Sequence, residues 1–516
     1  MKSFRVIDTR FRILKGGKIG LSLSISLIGS ALIFCQSARA ETFFDNEWTT
    51  GTTHTTADVT VTERSNTGTN TGTYSQTSTT ENIIFRPDRV AESYTGVTDN
   101  EISGTSSNPV ATAGTTGTAA NLIADGTYID GGGYSATNSD YAHYTTLNPD
   151  TDFTVTLTSG STVNNIVKET STYYYVDSTT GYTSSSDAYV ANIVFSGSNT
   201  VYGTTNIDDG NIKLDGSVTF TGTVDAGSIA VDTTSTITFN SDVDLTAGTT
   251  DAMNFSVNGN VLINEDFTGN ITSDGDNLGT VTIVGSGTGK EQIITGNIGS
   301  STSSDIGILN IGSDTVASNY SRTVIYGDVY ANSTVLNNNG TANSSTLVLA
   351  DGSDITSTIT TADANMGILT LEGSSTVSGT VGTDANKLKE INAGANGSNS
   401  TFSDDVYATN LDVEGTGTVN LDGNYKGTSI RYNADGTVVL ADNKNINSSI
   451  VTNSTTPTGT LTLEGSSTVS GTVGTDANKL KEINAGANGS NSTFSDDVYA
   501  TNLDVEGTGT VNLDGN

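Results

Sequence analysis

Apolar residues recur along most of this chain in short runs, and several of the runs alternate. Val218-Thr219-Phe220, Ile237-Thr238-Phe239 and Val281-Thr282-Ile283 each place a polar side chain between two apolar ones. Leu347-Val348-Leu349 and Val438-Val439-Leu440 are continuous. A period of two is the signature of a strand with one face buried. Every run is bounded by Gly, Asn or Asp. Asp-Gly or Asn-Gly steps fall at 209–210, 215–216, 258–259, 274–275, 339–340, 351–352, 422–423 and 435–436, where they turn the chain sharply and tolerate positive φ. From about Ile193 the strands continue with no helical interruption and are too short for a large sandwich. The pattern predicts an all-β fold: a right-handed parallel β-helix, or β-solenoid, of short strands and Gly/Asn/Asp turns. Leu369, Leu371, Leu411, Val413, Val419 and Leu421 then face inward, while Thr370, Glu372, Asn410 and Asn420 face out. The stretch Lys387-Leu388-Lys389-Glu390-Ile391 fits either a short helix or a further strand.

A long repeat sharpens this picture. Residues 369–424 recur letter for letter as 461–516, an offset of 92, and Gly367 matches Gly459 with Ile368 replaced by Thr460. The near-identical copies are thus 367–424 and 459–516. A looser copy precedes them, in 279–285 and 327–332. One unit holds several strand pairs and so spans several coils. Exact duplication in mid-chain suits a modular rod better than a catalytic domain, where one copy of a site suffices.

The N-terminus predicts export. Lys2, Arg5, Arg10, Arg12, Lys15 and Lys18 precede the apolar stretch from Ile19 to Phe34, and Ala38-Arg39-Ala40 supplies small residues for a signal peptidase. The stretch is short for a membrane span, and Phe34 before Cys35 disfavours a lipoprotein signal. Residues 1–40 are therefore expected to be a signal peptide that carries the chain through the inner membrane. Residues 41–190, low in complexity and rich in Thr and Ser, are expected to be loosely structured. Residues 191–516 form the repeat-containing solenoid. Cleavage after Ala40 removes seven basic residues and one acid, which takes the net charge from −35 to −41.

That charge, with a pI near 4.1, leaves no basic face for phosphates, so nucleic acid is excluded as a partner. No catalytic, cofactor-binding or metal-ligating set is assigned. His54 and His143 are the only histidines and lack a nucleophile elbow. Gly131-Gly132-Gly133 precedes no amphipathic helix, and Gly289-Lys290 lacks phosphate-loop spacing. Paired acids at Asp404-Asp405, Asp208-Asp209 and Asp274/Asp276 could serve glycoside chemistry, but turn and solvent-face roles explain them better. No complete calcium loop is present.

The unit Leu369-Thr370-Leu371-Glu372-Gly373-Ser374-Ser375, continuing through Lys387-Leu388-Lys389-Glu390-Ile391-Asn392 to Asp405-Val406-Tyr407-Ala408-Thr409-Asn410-Leu411, resembles the passenger repeats of rickettsial surface-antigen autotransporters. The similarity covers about residues 193–516. It implies a β-helical passenger displayed at the bacterial outer-membrane surface or released outside the cell. It also implies attachment to a host-cell receptor or extracellular matrix, and a C-terminal β-barrel translocator. No barrel strands, which would read as alternating segments of ~10 residues, occur up to Asn516. A structural coat protein without a specific receptor is the alternative, and a β-helix enzyme acting on polysaccharide a more distant one.

Overall fold

The computed structural model describes residues 153–515, apart from 169–171, 176–182, 187–189, 247–251, 286–290, 301–303, 314–320 and 338–343, and a set of short strands between residues 41 and 118. Residues 1–40, expected to be a signal peptide, Gly131-Gly132-Gly133 and His143 lie outside the described residues, as does the side chain of His54. The fold is an all-β parallel solenoid, with no helix among the described residues.

Three parallel ladders run through it, and the chain visits them in the same order in every coil. The first sheet stacks Phe153–Leu157, Ala191–Phe195, Asn211–Leu214, Ser228–Val231, Ala252–Phe255 and Asn270–Ser273. It continues through Ile298 and Val329 to Ile355, Val377, Phe402, Leu421, Leu440 and Leu463. The second sheet runs from Thr162–Val163 through Asn199–Val201, Val218–Phe220, Thr236–Phe239, Asn260–Ile263, Leu278–Ile283 and Ile306–Ile311. It goes on by Ile359, Val381, Val406, Tyr425, Ile446, Val469 and Phe494. The third carries Ile166–Lys168, Thr205–Asn206, Val224–Asp225, Val243–Asp244, Phe267–Thr268, Glu291–Thr295, Arg322–Tyr326, Thr346–Leu349, Met366–Leu371 and Leu388–Ala393. It then takes in Leu411, Ile430 and Ile450. From Ala191 onward coils vary from 17 residues, Asn211 to Ser228, to 31, Glu291 to Arg322, and the coil before them spans 39, Ile166 to Thr205. The ladder reaches N-terminal of Ala191, because Phe153–Leu157 also pairs with Asn70–Tyr74.

Alternation places the core. Ile212, Leu214, Val218, Phe220 and Val224 point inward and are buried, with Lys213 and Thr219 between them facing out. Phe220 stacks on Phe239 one coil away at 5.1 Å and meets Phe195 edge-on at 5.3 Å. Leu369, Leu371, Leu411, Val413, Val419 and Leu421 are inward, and Asn410 and Asn420 lie on the outer side, as the period-two pattern predicts. The ambiguous Lys387–Ile391 stretch resolves as a strand, Leu388–Ala393.

The turns differ from expectation in their cause. Among the described Asp-Gly and Asn-Gly steps only Gly352, Gly397 and Gly489 have positive φ, at 78°, 74° and 74°. Asp208, Asn277, Asn365 and Asn443 take left-handed positions without glycine. Gly216 and Gly423 are needed for another reason: a Cβ there would run into the backbone of Gly197 and Asp404 in the neighbouring coil. Glycine at these corners lets coils approach.

The repeat does not come back to the side it left. In the first copy Leu369 pairs with Leu347 and Ile391 in the third sheet. Its duplicate Leu461 pairs with Val438 and Ile483 in the first sheet. Phe402 lies in the first sheet and Phe494 in the second; Val406 lies in the second and Val498 in the third. The 92 residues therefore wind four full coils plus one further side. The inward set is unchanged, since Leu388–Ala393 and Leu480–Ala485 share one burial pattern. Over these strands the same sequence packs on a different side.

Candidate functional surface

The acid pairs singled out in the sequence are brought into coil-to-coil contacts rather than together. Asp405 Oδ1 accepts hydrogen bonds from the Asn424 backbone N–H at 2.8 Å and from its side-chain amide at 2.9 Å, while Asp404 is exposed beside it. Asp209 pairs with Lys168 Nζ at 2.5 Å, and Asp208 occupies a left-handed turn position at φ 49°. Asp274 accepts from the Asn254 amide at 2.9 Å, and Asp276 is exposed in the same turn.

These contacts belong to a wider device that sequence reading missed. At the corner before the first sheet, Asn270 Oδ1 accepts the Asn297 backbone N–H at 2.9 Å, and Asn297 Oδ1 accepts that of Asp328 at 2.8 Å. Asp328 then accepts from Asp354 at 3.0 Å, and Asp354 from Thr376 at 2.7 Å. At the corner before the second sheet, Asp405 serves Asn424, Asn424 serves Asn445, and Asn445 serves Thr468. A backbone N–H that turns out of the strand ladder at a corner needs a substitute acceptor, and a short Asn or Asp side chain one coil away provides it. The signal in the sequence was Asn or Asp recurring at the coil spacing rather than beside another acid.

Charge is handled locally. Arg431 bonds both carboxylate oxygens of Asp412 through Nε and Nη2, and its Nη2 lies 3.4 Å from Glu390 Oε2. Burial pushes the Asp412 carboxyl above its usual range even though Arg431 pulls it down. Hydrogen bonds to Asp215 and Asp232 hold the Lys213 ammonium above its ordinary value. Asp225 and Asp244 are register partners on adjacent coils. Asp225 is raised, first by burial and then by Asp244 and Asp208. Among the described residues no three or more His, Cys, Asp or Glu side chains are placed to hold a metal ion.

What the outer surface offers is regularity. On the second sheet one outward column reads Thr200, Thr219, Thr238, Leu262, Thr282, Asn310, Val335 and Thr360 in successive coils. Beside it runs Thr236, Asn260, Thr280, Ile308, Ser333 and Thr358. Neither column holds a charge, although the chain carries 56 acids. In each repeat copy a turn projects from a corner: the Thr383 N–H donates to the Asn386 carbonyl, and the Asn386 N–H to Thr383 Oγ1. Thr475 and Asn478 repeat both bonds in the second copy. No helix among the described residues is long and apolar enough to cross a membrane. No protein-family model, no curated protein and no solved structure matches this chain.

Proposed function

We propose that the chain is an exported autotransporter passenger, displayed at the cell surface as a stalk and adhesin for host-cell attachment. The observation that carries this reading is the exact 56-residue duplication, at an offset of 92, within a solenoid whose acids and amides are taken up in coil-to-coil contacts. Duplication of such a unit adds reach and surface without disturbing a catalytic centre. The leader at residues 1–40 and the passenger-like repeat support export and display. The decisive assay is attachment of beads carrying residues 41–516 to host cells, against beads carrying an unrelated solenoid of equal charge. Specific, saturable attachment is expected; attachment no greater than the control overturns the adhesin reading. A mature N-terminus at Glu41, found by mass spectrometry of surface protein, is expected as well, and an intact Met1 would contradict export by this leader.

The second reading, a coat element without a receptor, draws on the two uncharged outward columns. These would let acidic neighbours lie side by side without repulsion. Ordered lateral arrays with no cell attachment would favour it.

A further inference from the structure

We propose that the duplicated unit is a recognition module shown twice, on two different sides of the solenoid, so that two compact protein partners occupy one chain at once. This rests on the adhesin reading. The register already places the copies one sheet apart: Leu369, Phe402 and Val406 lie in the third, first and second sheets, and Leu461, Phe494 and Val498 in the first, second and third. Outward side chains go with them. The projecting turn Thr383-Asp384-Ala385-Asn386 leaves the corner between the second and third sheets, whereas Thr475-Asp476-Ala477-Asn478 leaves the corner between the third and first. Both turns have the same internal hydrogen bonds, and Asp384, Ala385, Asp476 and Ala477 are exposed. The two turns are thus alike in sequence and backbone, with Asp384 in addition paired to Lys426 of the neighbouring coil at 2.8 Å. They stand a third of a turn apart and are displaced by four and a third coils, about 21 Å at ~4.8 Å per coil.

That geometry decides what duplication achieves. Had the unit wound a whole number of coils, the copies would extend one face and offer a single flat partner a longer footprint. Rotated, they form two separate sites, and the gain is in valency. Each unit holds eight acids and two lysines. In the first copy Glu372, Asp384, Glu390 and Asp412 are paired with Arg322, Lys426 and Arg431. The acid that remains in excess fits a compact domain with a basic contact surface, so attachment weakens as salt rises.

The test uses a Fab selected to bind the 383–386 turn on the folded chain. Its footprint, about 800 Å² or roughly 30 Å across, is too wide for two to sit 21 Å apart on one side. Two Fabs per chain are expected by light scattering. One per chain overturns the rotated display. Ala385→Arg and Ala477→Arg, each alone, should reduce the count to one and together to none. Attachment to host cells is then measured with saturating Fab. Loss of attachment is expected, with partial attachment retained by either single variant, and undiminished attachment overturns the recognition role. A chain that fails to attach even without Fab sinks the adhesin reading, and with it the recognition role; the Fab count still tests the display.

Discussion

Leu421 is 1% exposed, stacked between Phe402 and Leu440 of the adjacent coils. Leu421→Ala is expected to cost about 2–5 kcal/mol, the range for emptying a packed core position, and Asn420→Ala, on the outer side of the same strand, less than half as much. Urea unfolding of the two variants measures this directly, and equal losses would show that burial between coils does not set the energy. Charge at the residue scale gives a second expectation. The Asp225 carboxyl is raised in the folded chain by burial and by Asp244 and Asp208. The folded state therefore holds its proton to a higher pH than the unfolded state. Stability contributed by that proton falls as pH rises from the ordinary carboxylate value through the raised one, and is gone at neutrality. Asp225→Asn should stabilise the chain at pH 7 by a few tenths of a kcal/mol (~0.3), because the group is largely in water, and should flatten that part of the pH profile. A variant less stable than the parent at pH 7 would mean that the charge at Asp225 is favourable.

Elements show which features were legible beforehand and which were not. Strand alternation carried the facing of Leu411, Val419 and Asn420, because a one-residue slip would bury polar side chains. It could not separate helix from strand at Lys387–Ile391, where two lysines and a glutamate leave only Leu388 and Ile391 apolar; the carbonyls of Met366–Leu371 below settle it. Glycine at 216 and 423 was visible as a turn signal, but its reason lies in the neighbouring coil and could not be read locally. The corner acceptors were hidden for the same cause. Asp354 accepts from Thr376 and donates its own N–H to Asp328. Asp354→Ala leaves the Thr376 N–H to water and should cost about 0.5–1.5 kcal/mol, while Asp354→Asn, which keeps the oxygen, should cost much less. Chemical denaturation of both variants checks this. If Asn is as damaging as Ala, the acceptor role is wrong.

At the scale of the whole molecule the question is how far damage travels. Each coil rests on the coils before and after it, so stability is nearly a sum of nearest-neighbour terms rather than one cooperative core. Leu411 is fully buried between Ile391 and Ile430. An Asp there must shed its charge or draw in water, at a cost above that of simple truncation. Asn410, one residue earlier, is outward and accepts a hydrogen bond from Ser429 Oγ at 2.8 Å. A carboxylate in its place can accept the same bond, so Asn410→Asp should change stability by under about 0.5 kcal/mol. Leu411→Asp should strip hydrogen-exchange protection from residues 388–432 and leave residues 191–231, many coils away, as protected as in the parent chain. Loss of protection along the full stack would show a single cooperative unit, and equal tolerance of the two substitutions would mean that Leu411 does not face the core. The outcome bears on the repeat as well. Only if coils stand or fall locally can an identical unit be laid down one side further round without the neighbouring coils having to adapt to it.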